Sequence, residues 1–280
     1  MPSPTKKLKT VHSAVVAAVL LCAAGAAFAA PSAHLWPRWT KHNSHSQATI
    51  KNGAWNAFLK KYVVHSDKQD VNLVRYGSVT SADKKSLQAY IKHLESLDID
   101  NYNRNVQRAY WINLYNAETV DIILKHYPVK SIRDIGGGWF SSGPWDEKLL
   151  KVEGQKISLN DIEHRILRPI WHDTLTHYGV NCASISCPSL RMQAYTGADI
   201  DKQLRASARA YINGPHGVHF KGKRLIVSKI FQWYQSDFGK NEAAVIKYLT
   251  QFAKPALAKR LQGKTHIDSY SYNWSLNKAT

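Results

Sequence analysis

Acidic residues, cysteines and short catalytic motifs are scarce in this sequence. Only 20 Asp and Glu stand against 38 Lys and Arg, and three cysteines occur in 280 residues. No Cys-x-x-Cys pair, no His-Glu-x-x-His run and no complete glycine pattern for phosphate or dinucleotide binding is present. Because zinc sites, thioredoxin-like redox sites and nucleotide sites depend on those spacings, we expect neither a bound metal nor a cofactor.

Long apolar runs are also rare, and the one that exists lies near the N-terminus. A lysine-rich start precedes an apolar run over residues 11–24, and Ala-Phe-Ala at 27–29 fits a small-x-small cleavage site. The pattern predicts a cleavable secretory signal over residues 1–29. A lipoprotein signal ending at Cys22 is the weaker alternative, since a leucine occupies the preceding position where such signals carry a small residue.

The rest of the chain is polar and strongly basic. No later segment approaches the about 20 apolar residues that cross a membrane, so we expect a periplasmic or secreted protein with no transmembrane segment after cleavage. Residues 1–29 hold three lysines and no acid, so their removal lowers the formal charge from +18 to +15. Such a surface suits an anionic envelope polymer. Nucleic acid is not favoured, because no long basic run or aromatic RNA-binding signature accompanies the charge.

Two cysteines remain once Cys22 has left with the signal. Cys182 and Cys187 are five residues apart in a compartment that is expected to be oxidising. Exported cysteines commonly pair, so a local disulfide that closes a small loop is one interpretation. The other is that one of them is a reactive thiol, which would need a nearby cation or helix start to lower its pKa. The sequence leaves both open.

The chain after the signal divides into a polar leader and one domain. Residues 30–51 are rich in His, Ser, Pro and Asn with little apolar periodicity, and they predict a flexible leader. Its histidines, His34, His42 and His45, are expected to be solvated, because metal ligation demands fixed geometry. Residues 52–280 contain no internal repeat and predict a single domain.

Periodicity and capping residues predict a mixed α+β domain with a long central helix. The long helix follows the Asn-rich turn at 101–105 and is stopped by Pro128. It is apolar on more than one face, which is typical of a helix at the centre of a fold. Further helices are predicted near residues 55–63, 81–94, 161–168, 199–211, 241–252 and 255–262, with short antiparallel hairpins around Glu153-Gly154 and Lys221-Gly222-Lys223 and a returning strand within 266–277.

Two asparagines on the long helix invite a functional interpretation. Asn113 and Asn116 are three residues apart and share a face. Asn is a poor helix former and must satisfy both ends of its amide when buried. They are candidate substrate-binding residues. The alternative is that they brace a neighbouring loop, as most buried polar groups do.

A compact charged set lies on the predicted helix after residue 160. Glu163 and His164 are adjacent, and Arg168 follows four residues after His164. A carboxylate beside a histidine can tune it as a general base, and the arginine could bind an anionic group. Adjacent helix positions point about 100° apart, so another element would have to meet them at the site. A surface capping cluster is the alternative.

The segment from 177 to 188 is the most distinctive stretch for chemistry. Small residues and serines surround Cys182, which would give its thiol access to a substrate. A thiol nucleophile needs a base within hydrogen-bond reach, and a histidine could supply it. The candidate catalytic residues are therefore Cys182, His177, His164 and Glu163.

Four ordered motifs resemble the DUF547 family. They are Tyr110-Trp111-Ile112-Asn113-Leu114-Tyr115-Asn116; Ser158-Leu159-Asn160-Asp161-Ile162-Glu163-His164 with Arg168; Asn181-Cys182-Ala183-Ser184 to Cys187-Pro188-Ser189-Leu190; and Ser228-Lys229-Ile230 to Trp233 with Asp237-Phe238-Gly239. The resemblance spans about residues 55–277 and implies an exported or modular bacterial domain. The family name marks an unknown function, so the resemblance transfers no reaction. Papain and transglutaminase enzymes are a looser analogy, and they place the nucleophile at the start of a central helix, where this chain carries Trp111 and Asn113.

Two functions from different classes follow. The first is a thiol-dependent hydrolase or acyl transferase acting on an acyl-bearing cell-envelope substrate. Cys182 would be its nucleophile and a histidine its base, with Glu163 or Asn116 orienting the base and Arg168 holding an anionic group. The second is a non-catalytic envelope-binding or scaffold module with a disulfide from Cys182 to Cys187 and a basic surface. Whether the protein is an enzyme stays open at this stage.

Overall fold

The computed structural model describes residues 31–136 and 143–279, so the predicted signal lies outside the described residues. Within them the α-helices are α1 (Gly53–Tyr62), α2 (Ser81–Glu95), α3 (Arg104–His126), α4 (Arg168–Trp171), α5 (Ile200–Asn213), α6 (Ile230–Trp233), α7 (Gln235–Phe238), α8 (Glu242–Phe252) and α9 (Pro255–Leu261). The strands are β1 (Val63–Ser66), β2 (Val71–Val74), β3 (Leu150–Val152), β4 (Gln155–Ile157), β5 (Val218–Lys221), β6 (Arg224–Ser228) and β7 (Ser269–Ser271). A π-helical turn over Asp161–Leu167 runs directly into α4.

The long helix α3 forms the centre of the fold, as predicted. The side chain of Asn103 caps its first turn by accepting from the backbone amide of Val106, and the helix ends two residues before Pro128. Every residue from Val106 to Ile123 is buried. The helix is covered on several sides because α2, α5 and the π-helical turn all pack against it. The apolar residues on more than one face of α3 are therefore explained by its central position in the fold.

Small sheets surround this helical core, which confirms the α+β class. The predicted hairpins β3–β4 and β5–β6 are both antiparallel, and Glu153 and Gly154 turn the first with φ of 45° and 81°. Two positive-φ residues at a two-residue turn match the natural twist of a hairpin. The returning tail contributes one short strand, β7, which pairs parallel to β6 with Val227 opposite Tyr270.

The hairpin β1–β2 has no counterpart among the sequence predictions. Its strands are four residues long and antiparallel, with Val63 opposite Val74. Periodicity assigned Val63 to the preceding helix, but α1 ends at Tyr62 and the chain continues directly as a strand. Four-residue strands carry too few alternations for a period-2 signal to stand out from a helix end.

The segment predicted as a flexible leader makes specific contacts with the domain. Trp39 is 2% exposed and packs edge-on against Trp111 of α3, with ring centroids 5.1 Å apart. The backbone amides of His34 and Trp36 donate to the carbonyl oxygens of His164 and Arg165 at 3.0 and 2.9 Å. Residues 31–39 therefore lie along the π-helical turn. Composition alone did not indicate this, because one or two tryptophans can anchor a polar segment.

No helix within the described residues combines the length and the hydrophobicity that crossing a bilayer would require.

Candidate functional site

The loop that carries both cysteines is held against α3 by an asparagine. Asn116 donates to the carbonyl oxygen of Gly179 at 2.9 Å and accepts from the backbone amide of Asn181 at 2.8 Å. Gly179 lies so close to α3 that a Cβ at this position would come within 2.9 Å of the Ile112 side chain. Both ends of a buried amide are satisfied, and the residue just before Cys182 is fixed in place.

Asn113 braces a second loop in the same way. Its amide donates to the carbonyl oxygen of Tyr195 at 2.8 Å and accepts from the backbone amide of Tyr195 at 3.0 Å. The side chain is only 2% exposed. The two asparagines predicted to bind substrate thus direct their amides at loop backbone, and this geometry matches the bracing alternative.

The C-terminal tail crosses the other side of the cysteine loop. The carbonyl oxygen of Ser275 accepts from the amide of Ile185 at 2.8 Å, and the carbonyl oxygen of Ala183 accepts from the amide of Asn277 at 3.0 Å. Ala183 has a φ of 58°, a left-handed conformation that is uncommon for a residue with a Cβ and often occurs at functional sites. The loop is therefore pinned by elements that are far apart in sequence.

The two cysteines differ in exposure. Cys182 is half-buried, whereas Cys187 is buried at 7% exposure. Both are free thiols, and their sulfur atoms are 2.8 Å apart. A disulfide bond is about 2.05 Å long, so the predicted pairing is not formed here although the two sulfur atoms are in contact.

Hydrogen-bonding groups surround the sulfur atom of Cys182. The hydroxyl oxygens of Ser184 and Tyr272 lie 3.3 and 3.2 Å from it, and those two hydroxyls are 2.8 Å from each other. Burial by itself would raise the pKa of Cys182, but its hydrogen bonds with Cys187, Ser184 and Tyr272 outweigh burial and lower the pKa. Burial and the hydrogen bond between the two sulfur atoms raise the pKa of Cys187. Cys182 is therefore the thiol that ionises more readily.

Half-buried aromatic rings form a wall beside this thiol. The ring of Tyr272 lies 4.8 Å from that of Trp233 and 4.7 Å from that of Trp274, and Trp145 stands 5.9 Å from Trp274. The guanidinium of Arg133 lies 5.3 Å from the centre of the Trp274 ring. The rings pack beside the contact between Tyr272 and the sulfur and leave partly exposed ring surface there.

The π-helical turn positions the predicted charged set. Its start is a reciprocal cap, in which Ser158 and Asp161 each accept from the other's backbone amide at 3.1 and 2.9 Å. Asp161 also accepts from Arg165 at 3.1 Å and from Lys148. Turns of this kind are rare and frequently occur at functional sites. The wider turn carries Glu163 into the interior at 7% exposure.

A largely buried polar cluster surrounds the half-buried Asp237 of α7. Arg168 donates Nε and Nη2 to the two carboxylate oxygens at 2.7 and 3.0 Å, and Nε2 of His177 lies 2.8 Å from Oδ2. Burial alone would raise the pKa of Asp237, but the hydrogen bonds from His177 and Arg168 hold the pKa well below its usual range. Glu163 approaches His177 from the other side, with 3.9 Å between Oε1 and Nδ1. The imidazole is thus held between two carboxylates.

His164 belongs to the same cluster but faces the arginine. Nη1 of Arg168 lies 3.1 Å from Nδ1 of His164 and donates to the carbonyl oxygen of Pro31 at 2.6 Å. Burial, assisted by the positive charge of Arg168, lowers the pKa of His164. At neutral pH the ring is neutral and Nδ1 accepts the arginine hydrogen bond, which fixes its tautomer.

Two tyrosines hydrogen-bond Glu163 of the cluster and interact electrostatically with the thiol. Tyr115 on α3 lies 3.4 Å from Oε2 of Glu163, and Tyr234 also hydrogen-bonds Glu163. Burial and the charge of Glu163 raise the pKa of both tyrosines, and a charge on Cys182 adds to this effect. Among the described residues, however, the hydrogen-bond partners of the Cys182 sulfur include neither candidate histidine. The structure therefore brings Glu163 and the histidines together and leaves the thiol beyond their direct reach.

Several site residues were not singled out from the sequence. Asp237 lies in a motif of the family resemblance, and that position is the one signal that could have identified it. Tyr272 follows Cys182 by 90 residues and stood in a tail predicted only as a strand. Ser184 likewise lies in a motif of the family resemblance, beside Cys182, whereas Tyr234 has no distinguishing pattern. Contacts between distant segments cannot be deduced from spacing along one chain.

Other features of the described residues offer less chemistry. The carboxylates of Asp98, Asp100 and Glu153 lie within 4.8 Å of one another, but the Arg38 guanidinium already binds Asp100 at 3.0 Å and also Glu153. Two surface cavities of about 290 and 340 Å³ lie near Tyr127 and near α8 and α9. Neither is lined by a carboxylate, an imidazole or a thiol. The cysteine loop is therefore the strongest candidate site.

Fold and site together define an α+β protein with a half-buried thiol loop between a central helix and the C-terminal tail. Residues 99–212 match the family model described as "Protein of unknown function, DUF547". This match covers α3, the π-helical turn and the cysteine loop, and it confirms the resemblance to the DUF547 family over this part of the chain. Comparison with curated proteins and with solved structures gives no match.

Proposed function

We propose that this protein is an exported thiol-dependent hydrolase or acyl transferase that uses Cys182 as its nucleophile. The observation that supports this most directly is the environment of the Cys182 sulfur, which is half-buried and hydrogen-bonded by Ser184 and Tyr272 at 3.3 and 3.2 Å. Those donors stabilise a thiolate, which is the form of cysteine that attacks an acyl carbon.

In this proposal the chemistry follows from the contacts around the sulfur. The Cys182 thiolate attacks the carbonyl carbon of an ester or amide, and the collapse of the resulting adduct leaves a thioester on the enzyme. The Tyr272 hydroxyl, 3.2 Å from the sulfur, is placed to protonate the leaving group. Water or an acceptor hydroxyl then releases the acyl group and restores the thiolate.

The buried cluster has a positioning role in this proposal. His177, clamped between Asp237 and Glu163, orients Glu163 toward Tyr115 and Tyr234 and does not touch the thiol. The predicted secretory signal and the mature charge of +15 support a substrate in the cell envelope, where acidic polymers are abundant.

The test is acyl transfer from small activated esters to the reduced mature protein. We expect p-nitrophenyl acetate or butyrate to leave one acyl group on Cys182, detected by intact mass and peptide mapping, and Cys182→Ser to lose it. Ser275→Ala is the matched control, since Ser275 is exposed and contributes only backbone contacts to the same loop. Full acyl turnover by Cys182→Ser would rule out the assignment.

The basic charge favours a second candidate, a non-catalytic module that binds an anionic envelope polymer. Exposed charges are screened over about 10 Å at 0.1 M salt, so such binding should weaken steeply as salt is added. Dextran sulfate and an uncharged dextran of equal length provide the comparison. Binding that does not change with salt, or that is equal for the two polymers, would exclude this candidate.

A further inference from the structure

The cysteine pair combines three features that acyl transfer does not require. The sulfur atoms of Cys182 and Cys187 are in contact at 2.8 Å, Cys182 is half-buried, and Cys187 is buried behind it. Acyl transfer needs one thiol and usually a neighbouring base. Here the closest partner of the reactive sulfur is a second sulfur, and Cys187 also accepts from the backbone amide of Cys182 at 2.9 Å.

We propose that Cys182 and Cys187 form a reactive and resolving thiol pair that reduces small hydroperoxides. Cys182 is the residue that meets the peroxide, because its sulfur is the more exposed and is flanked by two hydroxyl groups. Cys187 is placed to resolve the oxidised product, because it can reach the sulfur of Cys182 without a rearrangement of the chain. This activity goes beyond the acyl chemistry proposed above and does not depend on it.

The reaction balances with these residues and one named co-reactant. The Cys182 thiolate attacks one peroxide oxygen, the O–O bond breaks, and the leaving alkoxide or hydroxide takes a proton to become alcohol or water. Tyr272 or Ser184, each within 3.3 Å of the sulfur, is placed to donate that proton. The Cys187 sulfur then attacks the sulfenic acid on Cys182, releasing water and forming a disulfide. An external dithiol returns both sulfurs to thiols by exchange, becoming a disulfide itself.

The loop between the two cysteines suits this cycle. The sulfur atoms need to close only from 2.8 to about 2.05 Å to bond. Asn116 holds Asn181 at the start of the loop, and Asn277 holds Ala183 within it. Residues outside the loop therefore keep the two sulfur atoms close to each other. A hydroperoxide is also small enough to meet a half-buried sulfur directly.

The experiment uses the reduced, mature full-length protein with stoichiometric hydrogen peroxide. We expect the wild type to consume peroxide at least roughly tenfold faster than Cys182→Ser, as a stabilised thiolate should. Its mass should fall by two hydrogens as the disulfide forms, and dithiothreitol should reverse the change. Cys187→Ser should instead stop at a sulfenic acid on Cys182, trapped by a cyclic 1,3-diketone. Ser275→Ala serves as the matched control and should behave as the wild type.

Three outcomes would overturn the proposal. They are peroxide consumption by Cys182→Ser at the wild-type rate, no sulfenic acid in a folded Cys187→Ser, and a disulfide in the isolated protein that dithiothreitol reduces only after unfolding. Circular dichroism establishes that each variant is folded. Acylation by p-nitrophenyl acetate, measured on the same samples, separates the two proposals. Acylated Cys182 without peroxide reduction rejects the thiol pair alone, and peroxide reduction without acylation rejects the acyl transferase alone.

Discussion

At the scale of single residues, the site depends on which side chains stabilise a charge. Cys182 has hydrogen-bond donors that favour its thiolate, whereas Cys187, five residues later, has its pKa raised by burial. In the neighbouring cluster, His177 and Arg168 stabilise the carboxylate of Asp237. The lowered pKa of Cys182 predicts the pH dependence of its alkylation, and the lowered pKa of Asp237 predicts the pH dependence of the unfolding free energy.

Removal of the Tyr272 hydroxyl should make Cys182 harder to ionise. Tyr272→Phe keeps the ring that packs on Trp233 and Trp274 but removes one donor to the sulfur, so the pKa of Cys182 should rise. The pH profile of iodoacetamide alkylation at Cys182, followed by mass spectrometry, should shift to higher pH. Ser275→Ala should leave the profile unchanged. A shift to lower pH in Tyr272→Phe would contradict the assigned role.

Loss of the Asp237 carboxylate should remove an acid-sensitive part of the stability. The native state depresses the pKa of Asp237 below its unfolded value of about 3.9, so its stabilisation is complete above that pH and is lost as the pH falls toward the native pKa. Asp237→Asn should cost ~2–4 kcal/mol at neutral pH, because it leaves Arg168 buried without its partner.

Urea unfolding at several pH values tests this effect. Below about pH 4 the unfolding free energy of the wild type should fall more steeply than that of Asp237→Asn. Asp67→Asn is the control, because the Asp67 side chain is fully exposed at 102%. Parallel slopes for wild type and Asp237→Asn would show that Asp237 does not carry the acid dependence.

At the scale of elements, the central helix acts as the support of the site. α3 presents Asn113 and Asn116 to two different loops, and each amide makes a donor and an acceptor bond to loop backbone. The cysteine loop is thus held by α3 on one side and by the C-terminal tail after β7 on the other.

The two asparagines should therefore differ in their effect on the thiol but not on stability. Each change to alanine removes two hydrogen bonds to buried loop backbone and should cost ~2–5 kcal/mol, measured by urea unfolding. Asn116→Ala should also alter the alkylation profile of Cys182, because it releases Asn181 beside the thiol. Asn113→Ala should leave that profile unchanged, since it releases Tyr195. Equal effects on the profile would contradict separate bracing roles.

At the scale of the whole molecule, the basic net charge and the predicted N-terminal signal bear on the compartment in which the protein acts. The body of the chain carries the basic excess, and the predicted signal occupies residues 1–29. The leader that follows lies against the π-helical turn, where Arg168 binds the carbonyl oxygen of Pro31.

Export should produce a mature chain that begins at Ala30. Expression of the full sequence in a bacterium with a general secretory pathway should yield a periplasmic product without residues 1–29, identified by intact mass and N-terminal sequencing. Leucine at both position 27 and position 29 should block cleavage, because the signal peptidase requires small residues there. A cytoplasmic product that retains its N-terminus would contradict the prediction.

The sequence by itself determined the longer helices and the α+β class, because these depend on local periodicity, caps and prolines. The bounds of α2, α3 and α8 follow from Thr80, Asn103 and Asn241 as N-caps and from apolar spacing. Only the tertiary structure decided which polar residues meet. Tyr272 reaches Cys182 across 90 residues, and Asp237 reaches His177 across 60. Such contacts depend on how helices and tail pack around α3, and no local pattern encodes that packing.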